Sequence, residues 1–125
     1  MTSRVAIGLA LALALAFAIT SIATAASPPP ARLQISADEF SLALSRSSIG
    51  KGPAIVELVN FGEDDHDLAV RRVGGTRTYR IGVIHPGRTG TLEARLRSGR
   101  FALWCTLADH RGRGMRATLI VRSSV

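Results

Sequence analysis

The sequence has only one cysteine, one tryptophan, one tyrosine and one lysine among its 125 residues. A single cysteine excludes a disulfide within the chain, although small exported domains often depend on such bonds. Aromatic residues make up 5% of the chain, and no aromatic stacking motif is visible, which argues against nucleic-acid binding. The sequence also shows no catalytic triad, no paired carboxylates and no second metal cluster, so it does not suggest an enzyme.

Only one long apolar run occurs, and it lies at the N-terminus. Val5–Ile19 follows Arg4 and precedes the small residues Ala23-Thr24-Ala25, a pattern typical of a secretory signal peptide. The run is short for a membrane span, which needs roughly 20 residues, so an uncleaved anchor is the less favoured alternative. We predict a signal peptide over residues 1–25, a proline-rich leader over 26–31 and a single domain over 32–125. The mature protein would be periplasmic or secreted, without stable insertion in a membrane.

Basic residues outnumber acidic ones, and nearly all of them are arginine. Loss of Arg4 with the signal peptide leaves 15 basic and 9 acidic residues, a net charge of +6. This excess suits encounter with an acidic partner. The alternative is a coding bias toward arginine, with the charges forming an ordinary solvated surface.

The mature sequence lacks a helical period, and short alternating runs separated by glycine and proline take its place. The predicted strands are Arg32–Ser36, Phe40–Ser45, Ala54–Asn60, Asp67–Val73, Thr78–Ile84, Thr89–Leu96, Arg100–Cys105 and Arg116–Arg122. About eight short strands in about 100 residues predict an all-β protein, an antiparallel Greek-key β-sandwich of two sheets.

The residues that carry chemistry surround the single cysteine. Cys105, His110 and Met115 follow one another at five-residue steps, and His66 lies in a loop after an earlier strand. Two imidazoles, a thiolate and a weak thioether form the ligand set of a mononuclear blue-copper centre. A metal would also occupy a thiol that is otherwise unprotected in an oxidising compartment. The alternative for Cys105 alone is a buried free cysteine.

These residues and their surroundings resemble the cupredoxins, the small blue-copper family of plastocyanin and azurin. The resemblance rests on the following segments: Ala54–Gly62, His66-Asp67-Leu68, Pro86-Gly87, Leu96–Phe101, Trp104-Cys105, His110, Gly114-Met115 and Leu119–Val121. The Cys-x4-His-x4-Met loop is similar to that of rusticyanin and sulfocyanin. The resemblance implies a cupredoxin-like sandwich that binds one copper, as Cu+ or Cu2+. It also implies that His66, Cys105 and His110 are equatorial ligands and that Met115 is the axial ligand.

One residue departs from the pattern of the family. Many cupredoxins have asparagine directly after the first histidine ligand, where it ties the two ligand loops together, but this chain has Asp67. An aspartate still accepts a backbone N–H, and its charge near a thiolate favours the oxidised metal. We therefore predict that Asp67 lowers the reduction potential.

Other residues near the candidate ligands have simpler interpretations. His85 is expected to be an exposed histidine, Glu63–Asp65 a solvated turn, and Trp104 a core aromatic, with a partly exposed electron conduit as its alternative. Five arginines flank the two ligand segments: Arg71, Arg72, Arg111, Arg113 and Arg116. We expect several of them to rim the copper, where an acidic redox partner would dock.

The sequence thus favours a monomeric, exported one-electron carrier. The alternative is a copper-handling protein, such as a chaperone, a buffer or a resistance factor, that does not cycle between oxidation states. Copper carriers tend to have methionine-rich open sites, whereas this chain has only Met1 and Met115. A sandwich that has lost its metal is a third, less favoured interpretation.

Overall fold

The computed structural model describes residues 21–123, so most of the predicted signal peptide (residues 1–20) and residues 124–125 lie outside it. Residues 21–30, which include the proline-rich leader, are exposed and have no regular secondary structure. The described residues form nine β-strands and no helix. Within residues 21–123 there is accordingly no helix long and apolar enough to cross a bilayer.

The nine strands form two sheets that pack face to face. Their bounds are β1 Ala31–Asp38, β2 Ser41–Leu44, β3 Ser48–Gly50, β4 Gly52–Asn60, β5 His66–Arg72, β6 Thr78–Ile84, β7 Thr89–Leu96, β8 Gly99–Trp104 and β9 Arg116–Arg122. One sheet has the order β2-β1-β4-β7, and the other has the order β3-β9-β8-β5-β6. The predicted all-β sandwich is confirmed.

The alternation seen in the sequence determines which side chains form the core. In β4, Val56, Leu58 and Asn60 are buried, whereas the residues between them are half-buried. In β9, Leu119 is fully buried while its neighbour Ile120 is 39% exposed. Successive side chains of a strand point to opposite faces, so each sheet contributes one apolar face to a shared core. Loss of one buried leucine from such a core costs about 2–5 kcal/mol.

The strand arrangement differs from the prediction in two respects. The short strand β3 was not predicted, and two strand pairs are parallel rather than antiparallel: β1 with β4 and β3 with β9. The chain forms the β1–β2 hairpin, crosses to the second sheet as β3 and returns to the first sheet as β4. Because the chain crosses to the other sheet between β2 and β4, β4 lies beside β1 and runs parallel to it, an arrangement that a hairpin cannot give.

The topology brings three separate chain segments to one end of the sandwich. β5 begins at His66 and runs antiparallel to β8, with Ala69 opposite Trp104. β8 ends one residue before Cys105, and Trp104 pairs with Arg116 at the start of β9. The start of β5, the end of β8 and the loop into β9 therefore meet at this end.

Candidate metal centre

Three of the four predicted ligands form one buried cluster. The side-chain nitrogen and sulfur donors of His66, Cys105 and His110 all lie within 4.8 Å of one another. Cys105 Sγ is 3.6 Å from His110 Nδ1, and the two imidazole ring centroids are 5.2 Å apart. His66 and Cys105 are fully buried, and His110 is 8% exposed. Residues far apart in sequence thus place three metal-binding groups around one point.

His66 has one ring nitrogen that is engaged and one that is free. Nε2 lies 3.2 Å from Oε1 of Glu39. Nδ1 is buried and is the one side-chain nitrogen or oxygen atom in residues 21–123 found buried without a hydrogen-bond partner. A buried polar atom without a partner is costly, and a metal-bound histidine commonly donates its other N–H to a carboxylate. The ring is therefore oriented as that of a ligand binding through Nδ1.

The carboxylate of Glu39 connects His66 to the loop that precedes it. Oε1 accepts hydrogen bonds from the backbone N–H groups of Glu63 and Asp64, at 2.8 and 2.9 Å. These two bonds lower the pKa of Glu39, with a smaller contribution from His66. A Cβ atom at Gly62 would lie 2.7 Å from Cδ of Glu39, so the carboxylate reaches this position only because residue 62 is glycine.

Sequence reasoning missed Glu39. It lies between β1 and β2, 27 positions before His66, and nothing near it in the sequence resembles a ligand motif. The interpretation of Glu63–Asp65 as a solvated turn was correct for the side chains but incomplete for the backbone. The three side chains are exposed, but the backbone of this turn holds Glu39 in place. Gly62, directly before the turn, was the one available signal.

Asn60 fixes the same loop from inside the sandwich. Its Nδ2 donates to the carbonyl oxygens of Asp64 and Ile84, at 2.8 and 2.9 Å, and its Oδ1 accepts from the N–H of Gly62 at 2.9 Å. The residue is fully buried. All hydrogen-bonding atoms of this amide group are used, which ties the end of β4 to the end of β6 and holds the approach to His66.

The loop from Cys105 to Met115 is closed by its own backbone. Cys105 N–H donates to the carbonyl of Met115, and Met115 N–H donates to the carbonyl of His110, both at 3.1 Å. Gly114 has φ +115°, a conformation that side chains other than glycine rarely adopt. Met115, the fourth predicted ligand, is fully buried, and its backbone is bonded to both Cys105 and His110.

Burial has the largest effect on the acidity of the thiol and raises the pKa of Cys105. The backbone N–H groups of Asp67 and Leu107 act in the opposite direction. A buried thiol with a raised pKa stays protonated in the absence of a cation. A bound metal reverses this preference, because coordination favours the thiolate.

Asp67 joins the first histidine segment to the cysteine segment, as the sequence analysis expected of residue 67. Oδ1 accepts from the backbone N–H of Thr106 at 2.6 Å, and Oδ2 accepts from the Thr106 hydroxyl. Asp67 is 9% exposed. A carboxylate therefore lies within the protein, next in sequence to one candidate ligand and bonded to the neighbour of another.

His110 is the candidate ligand nearest to the surface. Its side chain is 10% exposed, and Nε2 lies 3.9 Å from Oδ2 of the exposed Asp64. The ring packs against Phe40, with centroids 4.8 Å apart, and the guanidinium carbon of Arg113 is 3.8 Å from the Phe40 ring centroid. An apolar ring, a cationic side chain and an exposed carboxylate thus lie around the point where the cluster approaches solvent.

Trp104 is not the core aromatic that the sequence favoured. It is half-buried, and the guanidinium carbons of Arg71 and Arg111 lie 5.4 and 4.5 Å from its ring centroid. Trp104 points away from the side of β8 that faces the core. Its ring therefore contacts these two arginines instead of core residues. His85 is exposed, as predicted, and its Nδ1 contacts Oδ1 of Asp65 at 2.7 Å.

The five flanking arginines do not all belong to the site. Arg111, Arg113 and Arg116 lie in the ligand loop or directly after it. Arg72 is at the far end of β5, where its Nε donates to the carbonyl of Ser98 at 2.9 Å. Arg72 is therefore not among the arginines that could rim the site, because β5 spans the sandwich from end to end.

The donor types of the cluster suit a single soft metal ion, and one donor separation can be compared with known ligand geometry. Ligands lie about 2.0–2.3 Å from a first-row ion such as zinc, so donors in a trigonal arrangement are about 3.5–4 Å apart. The separation of Cys105 Sγ and His110 Nδ1, 3.6 Å, is in this range. Two imidazoles and a thiolate, with a weak thioether as the fourth ligand, are typical of mononuclear blue copper.

Comparison with known proteins supports the fold. No protein-family model matches the chain, and no curated protein is significantly similar to it. The dithionite-reduced auracyanin of Roseiflexus castenholzii is 15% identical with a TM-score of 0.62, over 76% of this chain and 99% of that one. Auracyanin A, a "blue" copper protein of Chloroflexus aurantiacus, is 12% identical with a TM-score of 0.61, over 75% and 100%.

A larger protein contains the same fold. A multicopper oxidase is 12% identical with a TM-score of 0.58, over 76% of this chain and 45% of the oxidase. At these identities the similarity concerns the fold, which is the cupredoxin-like β-sandwich that the sequence resemblance implied.

Proposed function

We propose that the protein is an exported type 1 (blue) copper protein that carries one electron at a time. His66, Cys105 and His110 would be the equatorial ligands and Met115 the axial ligand. The observation that supports this proposal most strongly is the buried cluster of three donor atoms within 4.8 Å of one another. Bound copper would supply a one-electron Cu2+/Cu+ couple at this point.

The surroundings of the ligands support electron transfer. Glu39, Asn60 and Asp67 hold the ligand segments through hydrogen bonds within the protein. A site whose donors are already fixed changes little between oxidation states, which favours rapid transfer. The exposed edge of His110 offers a partner the shortest contact with the ligand set, because His66, Cys105 and Met115 are fully buried.

A copper-handling role without redox turnover is the alternative. Metal release to another protein requires ligands that the acceptor can reach, and three of the four candidates here have exposures of 0%. This burial favours a retained metal over a transferred one. The similarity to part of a multicopper oxidase gives no reason to propose an enzyme, and our proposal includes no catalytic activity.

Titration of the metal-free protein with copper(II) tests the proposal. We expect one equivalent to bind with an intense visible thiolate-to-copper charge-transfer band, and voltammetry to give a reversible one-electron wave. His66→Ala should abolish the band, whereas His85→Ala, which alters an exposed histidine outside the cluster, should keep it. A colourless copper complex would refute the ligand assignment, and a band without a reversible wave would favour copper handling.

We further propose that an acidic redox partner docks beside His110. Arg71 and Arg111 against Trp104, with Arg113 against Phe40, present cationic groups on apolar rings. Exposed charges of this kind raise association rates at low salt and are screened at high salt.

Stopped-flow rates with acidic and basic redox proteins test this docking surface. The rate with an acidic partner should fall as salt rises, and Arg71→Gln/Arg111→Gln should reduce it at low salt. The control Arg46→Gln/Arg122→Gln removes the same charge at two other exposed positions. Equal losses in both variants would show that only net charge matters.

For the rest of the chain, we propose a cleaved signal over residues 1–25, a leader over 26–31 and a monomeric domain over 32–125, located in the periplasm or outside the cell. N-terminal sequencing of the exported protein should begin near Ala26, and light scattering should give the mass of one chain. A mature N-terminus at Met1 would show instead that the apolar segment is retained.

A further inference from the structure

Positive charge is concentrated at the end of the sandwich opposite the candidate metal centre. β5 begins at His66 and ends at Arg72, and β8 begins at Gly99 and ends beside Cys105. The far ends of these strands border a cavity of about 460 Å³. The residues that line it include four arginines and two aromatic residues: Arg72, Arg77, Arg95, Arg97, Tyr79 and Phe101.

The charge of this cavity is not balanced by the protein. No aspartate or glutamate lines it. None of the ion pairs in residues 21–123 includes any of the four arginines. Glu93 lies two residues before Arg95 on the same exposed side of β7 but does not line the cavity. Guanidinium groups gathered around one space repel one another, and an anion bound between them would remove that cost.

Several of these groups are held in place before any ligand binds. Arg72 donates through Nε to the carbonyl of Ser98 at 2.9 Å. The guanidinium carbon of Arg77 lies 5.0 Å from the Tyr79 ring centroid, and the Tyr79 hydroxyl donates to the carbonyl of Arg95 at 3.1 Å. Side chains that are already ordered lose less entropy on binding, and the planar guanidinium fork matches phosphate oxygens in a bidentate manner.

We propose that this arginine cavity binds the phosphate groups of a multiply charged anion. Two sources offer this chemistry: a free phosphate compound or the headgroups of anionic phospholipids. The second source is relevant because β1 starts at this end. Ala31 pairs with Ala54, which pairs with Ala94 of β7, so the leader departs from the same end as the cavity.

Titration with pyrophosphate tests whether the cavity binds a free phosphate compound. The purified protein is titrated at constant ionic strength, and amide NMR shifts report binding. We expect saturable shifts at Gly75 and Thr76, and about tenfold or greater weakening in Arg77→Gln/Arg97→Gln. The control Arg46→Gln/Arg88→Gln removes the same charge from exposed positions outside the cavity and should bind as the wild type does. Arg97→Gln alone should show a smaller loss in the same direction.

Sedimentation with vesicles tests the lipid source. Vesicles of phosphatidylglycerol should retain the wild type and the control but not the cavity variant, and phosphatidylcholine vesicles should retain none of them. Pyrophosphate binding without vesicle binding identifies a free phosphate ligand, and vesicle binding identifies a headgroup. The proposal is overturned if neither probe binds, or if both double variants lose binding equally. Neither result depends on copper, so the outcome is independent of the proposed electron-carrier function.

Discussion

Three carboxylates lie close to the candidate ligands: Glu39 beside Nε2 of His66, Asp64 near Nε2 of His110, and Asp67 bonded to Thr106. The chain as a whole is strongly basic, with a net charge of +7. Negative charge near a metal favours its higher oxidation state. At the scale of single residues, these acidic groups set the electrostatic environment of the site against the trend of the whole protein.

Asp67→Asn tests this effect with little change in shape. The asparagine oxygen can accept from the Thr106 N–H, and its amide can donate to the Thr106 hydroxyl, so both contacts persist. We expect the reduction potential to rise by tens of millivolts, since a tenfold change in relative affinity is about 59 mV for one electron. Voltammetry measures it. Asp109→Asn, whose side chain is 71% exposed, should cause a smaller shift, and an unchanged or lower potential for Asp67→Asn would contradict the prediction.

A second prediction for single residues concerns the carboxylate of Glu39. Glu39→Gln removes the charge that supports His66, so copper(II) should bind more weakly and the potential should rise. Gly62→Ala should act in the same direction without a change of charge, because its Cβ would displace the Glu39 carboxylate. Voltammetry and competition with a chelator measure both effects. If Gly62→Ala has wild-type properties, the carboxylate does not position His66.

At the scale of elements, the candidate site depends on the strand ends rather than on the strands themselves. Asn60 ends β4 and bonds to the loop before β5 and to the last residue of β6. Backbone bonds from Asn60 to Arg88 and from Gly87 to Asn60 extend this connection toward β7. One buried amide thus joins three segments that have no sequence proximity to the cysteine loop.

Asn60→Ala should therefore both destabilise the fold and loosen His66. The substitution leaves the Gly62 N–H and two carbonyl oxygens without their partner, which we expect to cost about 2–4 kcal/mol of unfolding free energy. Urea unfolding of the metal-free protein measures this. Thr91→Ala, at an exposed position of β7, should change the value by less than about 0.5 kcal/mol. If Asn60→Ala changes the free energy of unfolding as little as Thr91→Ala does, Asn60 does not hold these segments together.

The elements also show how far the sequence could predict the structure. Strong alternation located eight strands to within about two residues, because a half-buried sheet enforces a period of two. β3 has only Ile49 as an apolar residue, between serine and glycine, so its three residues leave no periodic signal. The parallel pairs and the Glu39–His66 contact are set by tertiary topology, which local pattern does not encode. Trp104 was assigned wrongly because it lies between the buried Leu103 and Cys105, on the outer side of β8, where arginines contact its ring.

At the scale of the molecule, the two ends of the sandwich have different chemistry. The donor cluster and its carboxylates lie at one end, and the arginine cavity and the start of β1 lie at the other. A continuous core separates them, with fully buried Leu58, Leu119 and Ile35 among its members. The loop from Cys105 to Met115 is closed by hydrogen bonds of the protein's own backbone.

The core therefore predicts that the metal-free protein is folded and that copper adds stability to an existing structure. A ligand that binds only the folded state at a free concentration of 100 times its Kd adds about 2.7 kcal/mol. In a domain of this size, each 1 kcal/mol raises Tm by about 4–8 °C. We expect native-like circular dichroism without copper and a rise in Tm of about ten degrees or more with it.

Cys105→Ser is the control for this shift. The hydroxyl replaces the thiol in the same buried place but does not provide a soft thiolate ligand, so copper(II) should raise its Tm much less. Each variant is compared with its own metal-free form, which cancels any effect of the substitution on the core. An unfolded metal-free wild type would mean that metal binding and folding are one event, as in small zinc domains. Equal shifts in wild type and Cys105→Ser would mean that copper acts elsewhere on the surface.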